Sequence, residues 1–351
     1  VRHGGRRPMT QPVVVKLGGD ALASAHRIVA QAHRLAAWSQ ARPIVAVASA
    51  RRGVTDHLLG LVREIRTGAR GTLDPGSHPE ADRAIAAGEV VSASLLALAL
   101  GELGVRAVSL DAREAGLHGS GDFGHGRIRR VNTSRIEREL SRGVLPVITG
   151  FQGWRGGRVV TLGRGGTDSS AVSLTAALGG TRCVLVKDSP GLRTADPRIV
   201  PASRIIAEAP HNFLTALAEA GAKVVQAEAA REAEHQGVVL EFVTLTDDRP
   251  QSVVTGDAPD AGLRAIAALA GDGGLVTISA IGPVGSSDAG QLAQLRAALI
   301  QGGIAIVSIE RTSRGVCATV PAADATSAAR IAHAAFIESI DTPLRSIQRA
   351  S

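Results

Sequence analysis

Tyrosine is absent from these 351 residues, aromatic side chains make up 2% of them, and there are two cysteines. Cys183 and Cys317 stand far apart without metal-ligand spacing, which argues against a disulfide framework or a zinc site and fits a reducing, cytoplasmic compartment. The net charge is +7, yet basic residues are scattered among acidic ones and few aromatics are there to stack on bases, so no nucleic-acid partner is expected. No apolar run reaches the ~20 residues that a membrane span needs, so no membrane partner is expected either. The opening Val1 to Pro8 holds three arginines without periodicity and stands before Met9. Residues 1–8 are expected to be a disordered leader outside the fold.

Lysine is the most informative scarcity. It occurs three times, at Lys16, Lys187 and Lys223, against 36 arginines. Where nearly every cation is arginine, a retained lysine points to a need for a compact ammonium point charge. All three become site candidates.

What is present is an alternation. Val13 to Leu17, Pro43 to Ala48, Val105 to Leu110, Val144 to Ile148, Cys183 to Val186 and Val238 to Val243 are short β-branched runs of the kind buried parallel strands show. Between them lie stretches of helical length and apolar spacing: Ser24 to Ser39, Thr55 to Arg66, Glu80 to Gly101, Thr133 to Arg142 and Thr167 to Leu178. This order predicts a three-layer α/β domain with a mostly parallel central sheet. A Gly-, Asp- and Pro-rich break follows at Thr255 to Gly262. Beyond it, strands at Leu275 to Ala280, Ile304 to Ile309 and Gly315 to Val320, with helices at Ala289 to Gln301 and Ala322 to Phe336, predict a small ferredoxin-like α+β unit in βαββα order. With 44% hydrophobic residues, the chain has material for two cores, assigned to domains at 9–256 and 263–348.

Several motifs sit at predicted strand ends. Lys16-Leu17-Gly18-Gly19-Asp20 leaves the first strand with paired glycines, whose backbone N–H groups suit phosphate oxygens, and with a lysine to offset phosphoryl charge. An ordinary strand-to-helix turn accounts for it equally. Ser49, and Thr55 within Gly53-Val54-Thr55-Asp56, follow the second strand at a helix start suited to an anionic substrate, although a plain N-cap is the alternative. Gly88-Glu89 supplies a carboxylate for a substrate ammonium, or simply a dipole partner. Gly163-Arg164-Gly165-Gly166-Thr167-Asp168 is sharper, because an arginine fork between glycines ahead of a helix start matches a carboxylate or phosphate. Lys187-Asp188 and Thr194-Ala195-Asp196-Pro197-Arg198 follow the strand at Cys183 to Val186, where open α/β sheets bind nucleotides. Gly221-Ala222-Lys223-Val224 carries the last lysine behind a helix-ending glycine.

Taken together with Gly150-Phe151-Gln152-Gly153, these motifs resemble the aspartokinases of the amino-acid kinase family in order and spacing, from Val13 to about Gly256. The part from Leu263 onward resembles an ACT domain. The resemblance implies an amino-acid kinase fold and transfer of the γ-phosphoryl group of ATP to an amino-acid carboxylate. It assigns Lys16, Gly18 and Gly19 to the phosphates and Asp168 to the transfer site. Arg164 falls to the substrate α-carboxylate, Glu89 to its ammonium group, and Ser49 and Thr55 to the same pocket. Lys187, Asp188, Arg198 and Lys223 fall to the nucleotide. Mg²⁺ is expected mainly on ATP oxygens with Asp168, since magnesium keeps several waters. The ACT-like unit implies a homodimer and an amino-acid effector.

Four departures from the family pattern stand out. Asp20 adds a negative charge near the phosphate turn, Arg193 stands where an aromatic is usual, Pro190 replaces an acidic residue, and Gln226-Ala227 replaces His-Pro. One ACT unit stands where two are usual. A kinase for a different acid and a non-catalytic ACT-based sensor are therefore the alternative expectations, and the three retained lysines count against the sensor.

Overall fold

The computed structural model describes residues 11–338 apart from 69–77, 164, 190, 261, 263, 284, 286 and 287. The expected leader, and the expected extension of the second domain to residue 348, lie outside the described residues.

The chain runs through β1 (Val13–Leu17), α1 (Ala25–Ser39), β2 (Ile44–Ala48), α2 (Val54–Gly68) and α3 (Pro79–Glu102). It continues as β3 (Ala107–Leu110), β4 (Leu117–Ser120), β5 (Arg127–Val131), α4 (Ser134–Ser141), β6 (Leu145–Thr149), β7 (Gln152–Arg155), β8 (Arg158–Thr161), α5 (Gly166–Ala177) and β9 (Arg182–Lys187). Then come β10 (Leu192–Arg193), β11 (Ile205–Ile206), β12 (Glu208–Ala209), α6 (His211–Glu219), α7 (Ala227–Gln236), β13 (Val239–Thr244) and β14 (Ser252–Val254). Last are β15 (Ala265–Ala270), β16 (Leu275–Ile281), α8 (Ala289–Gln301), β17 (Ser308–Thr312), β18 (Gly315–Pro321), a 3₁₀ turn at Ala322–Asp324, and α9 (Ala325–Phe336).

The chain divides into two compact units, one running to Ser189 and including Glu232–Pro250, the other formed by Pro190–Arg231 and the chain from Gln251 onward. In the first unit, six parallel strands are ordered β13-β9-β1-β2-β6-β3. Side chains alternate between the faces of a strand. Val15, Leu17, Val184, Val186, Ala46 and Ala48 therefore share one face, where they form a core with Ile28, Ala32 and Leu35 of α1 and Ala93, Leu96 and Leu100 of α3. Each Val, Leu or Ile among them stabilises the fold by roughly 1.5–3 kcal/mol on burial, and each Ala by about 0.8 kcal/mol. The predicted parallel α/β layering is thus observed. A second sheet, β5-β4-β7-β8, has mixed pairing and was not legible as strands, because its Arg- and Gly-rich segments lack apolar alternation.

Helix α1 starts at Ser24, whose side chain accepts the Arg27 N–H at 3.3 Å. Helix α3 starts at His78 with Pro79 at its first position. At 24 residues, α3 is long and apolar enough to cross a membrane by length and composition, although Glu89 interrupts its apolar run. It instead packs as a core helix of the sheet and buries both Asp82 and Glu89.

In the second unit, β15-β16-β18-β17 form an antiparallel sheet with α8 and α9 packed on it. The expected strand at Ile304 to Ile309 begins later, at Ser308, because Ile304 instead closes the end of α8 through its N–H bond to the Leu299 carbonyl. The expected helix from Ala322 begins at Ala325, after the 3₁₀ turn. The fourth strand, β15, comes before the βαββα unit and pairs with β16. By sequence periodicity, residues 190–231 continue the first strands. By packing they cluster with the C-terminal strands, since Ala195 and Val200 share a core with Ile266, Ile278, Ala328 and Ala329.

Candidate functional site

In the first unit, strand order proceeds outward from β1 in both directions, which opens a crevice at the carboxyl ends of β1 and β9. Lys16 is in register with Leu185. Since Lys187 lies two residues beyond Leu185, both lysines project from the same face of the sheet. That face carries the start of α5, whose first turn supplies Asp168. The result is a buried cluster, with Lys16 Nζ 2.7 Å from Asp168 Oδ1 and Lys187 Nζ 3.5 Å from Oδ2.

One carboxylate cannot compensate two buried ammonium groups. Burial by itself would raise the Asp168 pKa, but Lys16 and Lys187 outweigh it and hold the carboxyl below its ordinary value. For Lys187 burial wins over the attraction of Asp168 and pushes its pKa down to about 8. With both lysines protonated, the cluster carries a residual positive charge suited to an anion.

Gly18 and Gly19 follow Leu17, the last residue of β1. A Cβ on Gly19 would stand 2.9 Å from the Ala50 carbonyl oxygen, so the glycine lets the turns after β1 and β2 touch. Ser49 follows β2 half-buried, its N–H donating to the Leu17 carbonyl at 3.0 Å. Thr55 sits half-buried in the first turn of α2. Glu89 reaches the same place from α3, because Gly88 lets that helix approach: a Cβ there would meet the Ala50 Cβ at 2.9 Å. Glu89 Oε1 accepts the Ala50 N–H at 2.9 Å, while Oε2 is buried without a hydrogen-bond partner among the described residues. Burial raises the Glu89 pKa to about 7 against the pull of the Ala50 N–H.

Gly150 to Gly153 leaves β6 beside these groups. The Phe151 N–H donates to Ser170 Oγ at 3.2 Å, fixing the first turns of α5. Phe151 adopts a positive φ of 67°, and Gln152 donates to the Ala86 carbonyl at 3.2 Å. Asp188 is exposed after β9. Arg164 lies outside the described residues.

Arg198 and Lys223 belong to the second unit. The Arg198 fork engages Asp196 at 2.6 and 3.0 Å, and that contact leads the forces holding the Asp196 pKa low, with Lys223 adding to them. Lys223 is exposed. Arg193, a departure from the family pattern, donates to Ser203 Oγ at 3.0 Å and to the Ser203 carbonyl, fastening the β10–β11 turn.

Sequence reading missed Arg52 and Asp82 here. Asp20, expected to add a negative charge near the phosphate turn, pairs with Arg52 at 2.9 Å. Asp82 is fully buried on α3 and accepts the N–H groups of Thr161 at 2.6 Å and Gly124 at 3.0 Å, anchoring the end of β8 just before Gly163. Burial raises its pKa. Nothing local marked either, since Arg52 and Asp82 look like a loop arginine and a first-turn dipole partner.

A parallel α/β domain with a cationic cluster at its strand ends and a recessed carboxylate beside it defines a class of anion-binding site. The chain matches the model of the Amino acid kinase family over residues 11–243 and belongs to that family. It is 36% identical over 234 residues to aspartokinase of Bacillus sp. strain MGA3, covering 65% of this chain and 54% of that protein. It is 31% identical over 297 residues to aspartokinase of Thermus thermophilus, covering 84% of this chain and 71% of that one. The chain spans little more than half the length of several curated relatives, 54% of the Bacillus protein and 58% of those from Geobacillus stearothermophilus and Mycolicibacterium smegmatis. Among solved structures, E. coli aspartokinase III in complex with aspartate and ADP shares the fold at a TM-score of 0.77 and 20% identity, over 92% of this chain and 99% of that one. Aspartate kinase from Synechocystis matches at a TM-score of 0.60 and 25% identity, over 92% of this chain and 69% of that one.

Proposed function

We propose that this chain transfers the γ-phosphoryl group of ATP to the side-chain carboxylate of L-aspartate, giving 4-phospho-L-aspartate. The observation that carries the reading is the buried Lys16–Asp168–Lys187 cluster with its surplus positive charge. The acceptor carboxylate is already ionised and needs no base, so the work is to bring two anions together and offset charge on the moving group. Lys16 and Lys187 supply that charge. Asp168 holds both ammonium groups at the place where phosphoryl transfer would occur. Gly18 and Gly19 offer backbone N–H groups to phosphate oxygens, and Asp188, together with Arg198 and Lys223 of the second unit, is assigned to the nucleotide by its match to the family pattern. Glu89, ionised, takes the substrate ammonium, with Ser49, Thr55 and Arg164 completing the amino-acid pocket.

Mg²⁺ fits this donor set as a nucleotide-borne ion. Both Asp168 oxygens already face ammonium groups, and among the described residues no group of three or more His, Cys, Asp or Glu side chains could hold a metal by itself. It would be held by phosphate oxygens, with Asp168 beside it, and would neutralise charge between the phosphates.

The catalytic domain is assigned to residues 9–256 and a regulatory or dimerisation domain to 263–348. An amino-acid effector and a homodimer contact through the sheet edge at β17 belong to this second domain, and the enzyme works in the cytoplasm. The test is hydroxamate trapping of the acyl phosphate with ATP, Mg²⁺ and L-aspartate, beside a Lys16→Ala control and a panel of other acids. Aspartyl hydroxamate that disappears in the control supports the reading. Product from another acid alone overturns the choice of acceptor, and silence throughout overturns the kinase reading.

A further inference from the structure

The second unit contains a chain of hydrogen bonds, buried at its His333–Thr194 link, that joins α9 to the Thr194–Arg198 motif across 139 positions of sequence. His333 on α9 is 1% exposed. Its Nδ1 stands 3.0 Å from Glu338 Oε1, and its Nε2 stands 3.0 Å from Thr194 Oγ1. In the tautomer that carries its proton on Nδ1, the ring donates to the Glu338 carboxylate and accepts at Nε2. Thr194 Oγ1 then donates to Nε2 and, with a remaining lone pair, accepts the Arg204 N–H at 2.9 Å. Every member of the relay has one consistent direction.

Two further contacts fasten the same stretch of backbone. The Thr194 carbonyl accepts the Ile266 N–H of β15 at 2.8 Å, and Arg330, one turn before His333, donates to the Ile199 carbonyl at 2.7 Å. Ala195 and Val200 are buried against Ala328, Ala329 and Ala332. Between these anchors the Asp196–Arg198 pair stands toward solvent, with the Arg198 side chain 73% exposed. An arginine presented from a segment held at both ends keeps its donors in place at little entropic cost to a ligand.

We infer that His333 is a positioning residue for nucleotide binding: through Thr194 it holds the Thr194–Arg198 segment in the conformation that presents Arg198. This inference rests on the assignment of Arg198 to the nucleotide. It gives α9 a part in presenting Arg198 to the nucleotide from within the second unit, with no effector required.

The test is equilibrium binding of MgADP to the full chain by calorimetry, with L-aspartate binding and thermal midpoint measured on the same samples. Removing the relay through His333→Leu or Thr194→Val is expected to weaken MgADP binding about tenfold, the usual effect of one buried hydrogen bond. L-Aspartate affinity should stay within about twofold. His333→Gln, which keeps an acceptor near Nε2, should recover most of the loss. The double variant should lose no more than either single one, because both remove the same bond. Unchanged MgADP affinity in His333→Leu overturns the positioning role, as does equal weakening for MgADP and L-aspartate, which marks general loosening of the fold. A wild-type chain that takes up no MgADP overturns the kinase reading itself, so the two failures are distinct.

Discussion

Glu89 holds the backbone N–H of Ala50 through one carboxylate oxygen at 2.9 Å and keeps the other oxygen buried without a hydrogen-bond partner among the described residues. A helix in the middle of the chain thereby presents an unspent acceptor beside the turn after β2. Its pKa, raised to about 7 by burial, sets its charge near neutrality.

The first prediction concerns pH. The native state binds the Glu89 proton more tightly than the unfolded state, so stability falls as pH rises from about 4.5 to about 7 and is level with respect to this group above that. The size is on the order of 3 kcal/mol. Glu89→Gln should flatten that part of the profile in urea titrations between pH 4.5 and 8. In the kinase assay, KM for aspartate should drop between pH 6 and 8 as the carboxylate ionises, and the variant should lose this dependence. An identical KM profile in the variant would count against the ammonium-binding role.

Asp168→Asn should leave Lys16 and Lys187 buried without their shared counter-charge. The expected cost is about 3 kcal/mol of stability, read as a lower thermal midpoint. The expected loss in kcat is about 10²- to 10³-fold, the range for removing a group that organises transition-state charge. A variant that keeps near-normal kcat would remove Asp168 from the transfer site.

Lys187, with its pKa lowered to about 8 by burial, should lose its charge in mildly alkaline solution. Nucleotide affinity is then expected to fall as pH passes 8, whereas folding stability with respect to this group rises between pH 8 and 10.5, because the unfolded chain binds the extra proton there. Lys187→Arg keeps the charge and should abolish the alkaline loss of affinity, though not necessarily its absolute value. Binding titrations from pH 7 to 9.5 check this, and an unaltered slope in the variant would contradict it.

Gly19→Ala places a Cβ 2.9 Å from the Ala50 carbonyl oxygen and 3.2 Å from the Arg52 nitrogen. The two strand-end turns must separate, at a cost of about 1–3 kcal/mol, and KM for ATP should rise with kcat less affected. Gly60→Ala on α2, where a Cβ meets nothing within 4 Å, is the control and should be neutral or stabilising. Equal effects from the two substitutions would show that the close approach is unimportant.

The sequence by itself determined the layering and marked out the residues of the candidate site. Residues 13–17 show the same strand in the β-branched run and in β1, and α8 matches its expected span from Ala289 to Gln301. Both follow from periodic burial, which leaves its mark within a few residues of chain. The three lysines stood out by composition, and two of them meet at Asp168 because β1 and β9 are adjacent and in register. Tertiary structure decided what no local pattern encodes: the charge state of Glu89, the pairing of Asp20 with Arg52, the burial of Asp82, the arrival of β15 at the sheet edge, and the His333–Thr194 bond. Each depends on desolvation or on partners far apart in sequence, and those come into existence only when the chain has closed its sheets.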